Sequence, residues 1–169
     1  GRYDKQSVLD DYIDFMTSDP PRHPDTYAES YHRGFFANLE SGKEKDRCGA
    51  VTHDTPSIGG LVTIAPLVLS ERLQGLPLIE VQKHCLEHLF LTHPDKELGH
   101  ICAVYVELLD ALLFRDQAQS PHELLARAAK VSIELDLPAL VEKKHDDRYV
   151  VGSLFSTACY ISGSWPSVL

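Results

Sequence analysis

The chain contains no run approaching the ~18 consecutive apolar residues of a membrane span, and its start, Gly1-Arg2-Tyr3-Asp4-Lys5, is too polar for a signal peptide. Cysteine is sparse: Cys48, Cys85, Cys102 and Cys159 stand far apart and form no Cys-x-x-Cys pair. In a chain of 169 residues they read as scattered reduced thiols, which predicts a reducing, cytoplasmic setting and gives no positive support to a disulfide. Cys85 and Cys102 fall in helical patterns and read as small core residues. Basic residues are outnumbered, 16 Lys+Arg against 25 Asp+Glu, and the net charge of −9 argues against nucleic acid or an anionic membrane as the main partner. A small anionic ligand stays open, because it needs only a local cluster of donors. No Gly-x-Ser-x-Gly elbow is present, no cysteine carries a local nucleophile signature, and no internal repeat or low-complexity tract occurs.

What is present is an ordinary globular composition, 43% hydrophobic and 24% charged, in a length that suits one domain with a single core. Strict alternation is nearly absent, and apolar residues recur at helical spacing. Residues 7–16 place Val8, Leu9, Tyr12, Ile13 and Met16 on one helix face. Three prolines make 17–24 a loop. Asp25 or Thr26 is expected to cap a second helix to about Glu40, with Tyr27, Tyr31, Phe35, Phe36 and Leu39 as its apolar face and Gly42 at its C-terminal end. The polar stretch 41–55, centred on Lys43-Glu44-Lys45-Asp46-Arg47, reads as an exposed loop.

From Ser57 to about Leu73 the pattern is apolar on nearly all sides, which predicts a central helix kinked at Pro66 and ended by Gly75. Pro77 starts the next helix, to about Leu91, and Pro94 opens another, to about Arg115. Ser120-Pro121-x-Glu123 is a capping-box pattern for a helix to about Leu135. Residues 138–148 are expected to form a short helix with a mobile end, and 152–161 a buried helix. Ser164 and Pro166 read as the start of a further helix whose first buried residues are Val168 and Leu169. A single terminal turn does not hold itself, so the chain is expected to be a fragment of a longer protein.

One segment carries more than fold information. His53-Asp54-Thr55-Pro56-Ser57-Ile58-Gly59-Gly60-Leu61-Val62-Thr63-Ile64-Ala65-Pro66 is a small-residue turn entering an apolar helix, and Leu91-Thr92-His93-Pro94 follows the next helix. Small residues let a ligand approach the backbone, and free N–H groups at a helix start attract anions. The pairing resembles the ADP-ribosylglycohydrolase family (the ADP-ribosylation/crystallin J1 group), over most of the chain from Tyr3 to Ser164-Trp165-Pro166. In that family a turn of the type Gly-x-Gly-Asn-Gly-Gly-Ala-Met-Arg contacts the diphosphate of ADP-ribose. Gly59 and Gly60 match its last two glycines, whereas Ile58 stands for the asparagine and Val62-Thr63 for Met-Arg. His93 matches a Thr-His pair that lies near the ribose or adenine, and Ser164-Trp165-Pro166 looks like the family's Ser-Val-Pro.

The resemblance implies an all-α, compact orthogonal helical bundle, here a truncated version of that fold. It also implies hydrolysis of ADP-ribose linkages by two magnesium ions held in acidic motifs. Neither Thr-Asp-Asp nor Gly-Asp-x-Asp occurs in this chain, and neither Asp10-Asp11 nor Asp146-Asp147 is assigned to metal. The chain alone is therefore expected to be inactive, with no catalytic and no metal residues and a partial ligand surface of Thr55, Ser57, Gly59, Gly60 and His93. The flat readings stay open: a Gly-Gly pair also serves packing or capping, a histidine before proline also caps, and Thr55 or Ser57 also N-cap.

His84-Cys85-Leu86-Glu87-His88 fits His-x-x-Glu-His, which supplies two ligands and a base in some zinc peptidases. Nine histidines make the pattern easy to meet by chance, and helix-surface histidines are its plain reading. Two functional readings follow. The first is a family member whose complete form hydrolyses ADP-ribose linkages on proteins with magnesium. The second is a non-catalytic module that binds ADP-ribose or serves protein interaction. Exposed apolar surface is expected to favour self-association or a companion chain.

Overall fold

The carboxylate of Asp4 accepts the N–H of Ser7 at 2.7 Å and so starts α1 (Lys5–Met16), two residues before the apolar pattern begins. A computed structural model of the protein describes residues 2–24 and 27–169. Over those residues it is all-α, with no strand and only two isolated bridges, Ser57 with Tyr160 and Val151 with Phe155. Among them no helix is long and apolar enough to cross a membrane.

Helix α2 (Ser30–Glu40) buries Tyr31 and Phe35, and Gly42 closes it at φ +87°, a conformation that favours glycine. The expected caps Asp25 and Thr26 lie outside the described residues. Tyr27 is exposed rather than on the apolar face, because it precedes the helix; its ring lies 5.5 Å from the Arg33 guanidinium. Leu9 of α1, Phe35, Cys48 and Leu91 form a small core of their own. The loop 41–55 is thus only partly exposed: Lys45–Arg47 is an exposed 3-10 turn, while Cys48 and Thr55 are fully buried.

The single long helix expected over 57–73 divides in two. Ile58–Leu61 is a 3-10 turn, and α3 (Ile64–Leu73) begins after it. Pro66 is therefore the third residue of α3, where a backbone N–H has no intrahelical partner, so it removes no helical bond. Nor is the segment apolar on all sides in effect, since Val62, Leu69 and Leu73 are exposed and Glu71 is buried. Gly75 ends α3 at φ +84°, and Pro77 caps α4 (Leu78–Thr92). Asp95, not Pro94, caps α5 (Lys96–Leu113), accepting the N–H of Leu98 at 2.9 Å.

Helix α5 packs against α3, α4 and α6 (Pro121–Ile133), and the main core joins Ile64, Val68, Cys85, Leu89, Ile101 and Cys102 to Leu124 and Trp165. Pro121 is the first residue of α6 as expected, but Ser120 makes no side-chain cap bond, so the box does not close. The charged segment forms α7 (Leu137–Glu142) and α8 (Asp147–Val150), neither with a buried residue. Residues 152–160 are not a buried helix: they are non-helical and nearly all exposed. Gly152 turns there at φ +114°, its N–H donating to the Phe155 carbonyl at 2.7 Å, and Val151 and Leu154 beside it are left exposed. The last helix, α9 (Ile161–Val168), starts at Ile161. Ser164 lies inside it with its hydroxyl donating to the Tyr160 carbonyl at 2.9 Å. Its anchor is the buried Trp165, whereas Val168 is exposed.

Candidate ligand cleft beneath the glycine turn

The turn is held from both sides. Thr55 is fully buried, its hydroxyl donating to the Ala50 carbonyl at 2.9 Å while accepting the Thr52 N–H at 2.7 Å. The Asp54 carboxylate accepts the N–H of Ser30 at 3.1 Å, and these bonds with Ser30 lower its pKa. On the other side the N–H of Ile58 donates to the Cys159 carbonyl and that of Ile161 to the Pro56 carbonyl, both at 2.8 Å. Two more donors of the turn stay within it, Gly60 N–H to the Ser57 carbonyl and Val62 N–H to the Gly59 carbonyl. The backbone donors of residues 58, 60 and 62 are thereby engaged in the protein.

The two glycines have different surroundings. A Cβ on Gly60 would lie 2.8 Å from Leu89 Cδ1 and 3.0 Å from both His93 Cγ and Leu98 Cδ2. A Cβ on Gly59 would lie 3.3 Å from Ser57 Oγ and 3.5 Å from the Tyr31 hydroxyl. Gly60 is thus needed for close packing over α4 and α5, and Gly59 keeps the turn clear beside Tyr31.

Beneath the turn lies a cleft of about 290 Å³, between α1, α2 and the C-terminal end of α4. Gly59, Gly60 and His93 line it, as do Tyr12, Tyr31, His32, Thr63 and His88. Three of the five residues singled out in the sequence therefore share one cleft. Thr55 and Ser57 are buried behind the turn and are not among its lining residues.

His93 is 4% exposed, with the Tyr31 ring 4.0 Å away between centroids and the Thr92 hydroxyl 2.8 Å from Nδ1. Burial, with a smaller contribution from His32, lowers its pKa to about 4. His88 places Nε2 2.8 Å from the Thr63 hydroxyl, and burial lowers its pKa as well. The phenol of Tyr12 lies 2.6 Å from His32 Nδ1, and burial lowers the pKa of His32 and raises that of Tyr12. Two buried nitrogens, His88 Nδ1 and His93 Nε2, have no hydrogen-bond partner in the protein. Leaving such a group unpaired costs about 1–3 kcal/mol.

No carboxylate, lysine or arginine lines the cleft. Its donor set of imidazole nitrogens and neutral hydroxyls does not fit magnesium, which takes oxygen ligands with carboxylates among them. Among the described residues no group of three His, Cys, Asp or Glu is arranged to hold a metal. The His-x-x-Glu-His pattern is spent otherwise: His84 Nδ1 lies 2.8 Å from the buried Glu71 carboxylate, and Glu87 lies 4.0 Å from Lys83. Asp10 pairs with Lys45, and Asp146 caps α8. The sequence reading missed Tyr12, His32, Thr63 and His88 as cleft residues. Tyr12 read as a helix-face residue, Thr63 as part of the turn segment and His88 as part of His-x-x-Glu-His, and none of these patterns points to a shared cleft, which comes from the meeting of separate helices. No protein-family model, curated protein or solved structure matches the chain.

Proposed function

We propose that the chain is a cytoplasmic, ADP-ribosylglycohydrolase-like helical protein whose cleft beneath Gly59 and Gly60 holds one end of ADP-ribose, free or on a protein, without hydrolysing it. The arrangement would be a truncated orthogonal-bundle version of that fold. The supporting observation is convergence: Gly59, Gly60 and His93, singled out from separate parts of the sequence, line one cleft. Its volume of about 290 Å³ is at the small end for ligand sites, which suits a nucleoside-sized part rather than the whole molecule. The diphosphate would then lie outside, since no cation lines the cleft and the turn's donors at residues 58, 60 and 62 are engaged.

Hydrolysis by two magnesium ions would need carboxylates that the cleft does not have. Calorimetric titration of ADP-ribose, with and without magnesium, tests the reading. The expected result is saturable binding that magnesium leaves unchanged. Absence of binding would overturn it, as would magnesium-dependent turnover of an ADP-ribosylated peptide. The same reading includes self-association through exposed apolar side chains such as Val62, Leu73 and Ile79. A monomeric mass by sedimentation at high concentration would remove that part.

A further inference from the structure

Two apolar cores hold the described residues together, and α1 and α2 belong to only one of them. The main core draws on α3, α4, α5, α6 and α9 and, among the described residues, takes nothing from α1 or α2. Leu9 and Phe35 instead meet Cys48 and Leu91 in the small core, with Tyr12, Ile13, Phe36 and Leu39 packed against it. Leu91, near the end of α4, is the buried residue that links this core to the bundle. Gly49 rests against the same end of α4, since a Cβ on it would stand 2.9 Å from the Phe90 carbonyl oxygen. Cys48 is thus sandwiched between α4 on one side and the α1–α2 pair on the other. Elements that share little apolar burial with the rest open at lower free energy than the whole.

A line of rings crosses from the bundle to this pair. His93, which caps α4, lies 4.0 Å from Tyr31, Tyr31 lies 4.3 Å from His32, and His32 lies 5.7 Å from Tyr12, centroid to centroid. The first step joins α4 to α2 and the last joins α2 to α1. All four residues line the cleft, with Leu9, Tyr12, Tyr31 and His32 on one wall and the glycine turn and α4 on the other. The line suits neutral imidazoles, because two imidazoliums would flank the buried Tyr31 with no carboxylate among the lining residues. Glu29 approaches His32 alone, 3.8 Å from Nε2. Asp54 spends its carboxylate on the Ser30 N–H and Asp95 on the Leu98 N–H, and from α4 the remaining titratable neighbour is His88, which burial keeps neutral.

We propose that α1 and α2 form a flap that opens while the main bundle stays folded, and that the line His93–Tyr31–His32–Tyr12 is its acid-sensitive latch, whose release parts the walls of the cleft. The sign follows from His93. Its pKa is about 4 with the flap closed against an ordinary 6.5, so between those values the open form binds the extra proton and opening gains as pH falls. For a ring fully hydrated on opening, the open-to-closed ratio rises at most about twentyfold from pH 7 to pH 5. His32, also held low by burial, acts in the same direction. The inference does not rest on ADP-ribose binding, since it concerns the chain without a ligand.

The cysteines are built-in probes, because Cys48 is buried in the small core and Cys85 and Cys102 in the main one. The full chain is labelled with dithiodipyridine at pH 7 and pH 5, and each site is read by peptide mass spectrometry. Every rate is divided by that of the same cysteine in the urea-unfolded chain at the same pH, which removes the chemistry of the thiol itself. The expected result is Cys48 labelling that rises several-fold at pH 5, with Cys85 and Cys102 still protected and Trp165 emission unchanged. His93→Phe, which keeps a ring against Tyr31 but cannot take a proton, should flatten the rise. If that variant fails to fold, the wild-type rates still decide. Equal Cys48 rates at the two pH values would overturn the latch, as would a full rise in folded His93→Phe. Cys85 and Cys102 opening in step with Cys48 would overturn the flap, since the whole protein would then be unfolding together.

Discussion

The ring of Tyr31 lies 4.0 Å from the imidazole of His93, centroid to centroid and inclined by 45°. That contact joins α2 to the residue that caps α4, and it forms one side of the cleft beneath the glycine turn. Its closeness depends on Gly60, which leaves the space that the His93 ring and the Leu89 and Leu98 side chains occupy.

Gly60→Ala is therefore expected to destabilise the fold by about 1–3 kcal/mol, because its Cβ would stand 2.8 Å from Leu89 and 3.0 Å from His93 and Leu98 in a packed region. Gly59→Ala meets only the Ser57 and Tyr31 hydroxyls, at 3.3 and 3.5 Å, and should cost less than about 1 kcal/mol. Urea unfolding of the two variants side by side checks the ordering. Equal losses would mean that packing under Gly60 is not the reason for the pair.

Stability should fall in acid through His93. Its ordinary pKa of 6.5 drops to about 4 in the folded protein, so between those values the unfolded chain binds more protons and stability rises with pH. The contribution is complete above pH 6.5, is lost as pH falls toward about 4, and is flat below that. A shift of this size corresponds to about 3 kcal/mol. His32 and His88, whose pKa values burial also lowers, act in the same direction. Unfolding free energies from pH 7 to pH 4 should show this slope, and His93→Phe should reduce it; an unchanged slope would remove His93 as its source.

Tyr12→Phe removes the phenol 2.6 Å from His32 Nδ1 and leaves that nitrogen without its partner between α1 and α2. The expected loss is about 1–2 kcal/mol, with the aromatic contacts to Phe35 and Phe36 retained. Thermal unfolding measures it, and a neutral result would show the pair to be solvated.

Trp165 is 1% exposed, its indole N–H donates to the Ser132 hydroxyl at 2.8 Å, and Tyr105 meets it edge-on. It is the only tryptophan, so its fluorescence reports the docking of α9 directly. Trp165→Ala should cost about 3–5 kcal/mol, and Ser132→Ala about 1–2 kcal/mol for the unpaired indole N–H. A Ser132→Ala variant with unchanged stability and emission would refute the second figure.

The helix ends were the most legible part of the sequence. Gly42, Gly75 and Pro121 stand where the pattern put them, because each acts on its own backbone or within one turn. The segment 57–73 misled because a continuous apolar run does not say where a helix starts, and its 3-10 turn is set by contacts with residues 159–161. Residues 152–160 misled for the opposite reason: small side chains fit helix and turn alike. Of the residues lining the cleft, Gly59, Gly60 and His93 had been singled out in the sequence and Tyr12 and Tyr31 read as helix-face residues, whereas nothing in the sequence marked His32.

What the sequence by itself determined is the all-α character and most of the helix limits, since periodicity, caps and glycine stops act over three or four residues. Only the tertiary structure decided that Gly60 faces His93, that Tyr12 meets His32, and that Glu71 takes up the first histidine of the His-x-x-Glu-His pattern. Those pairings join different helices, and they follow from how buried faces pack together, which no local spacing encodes.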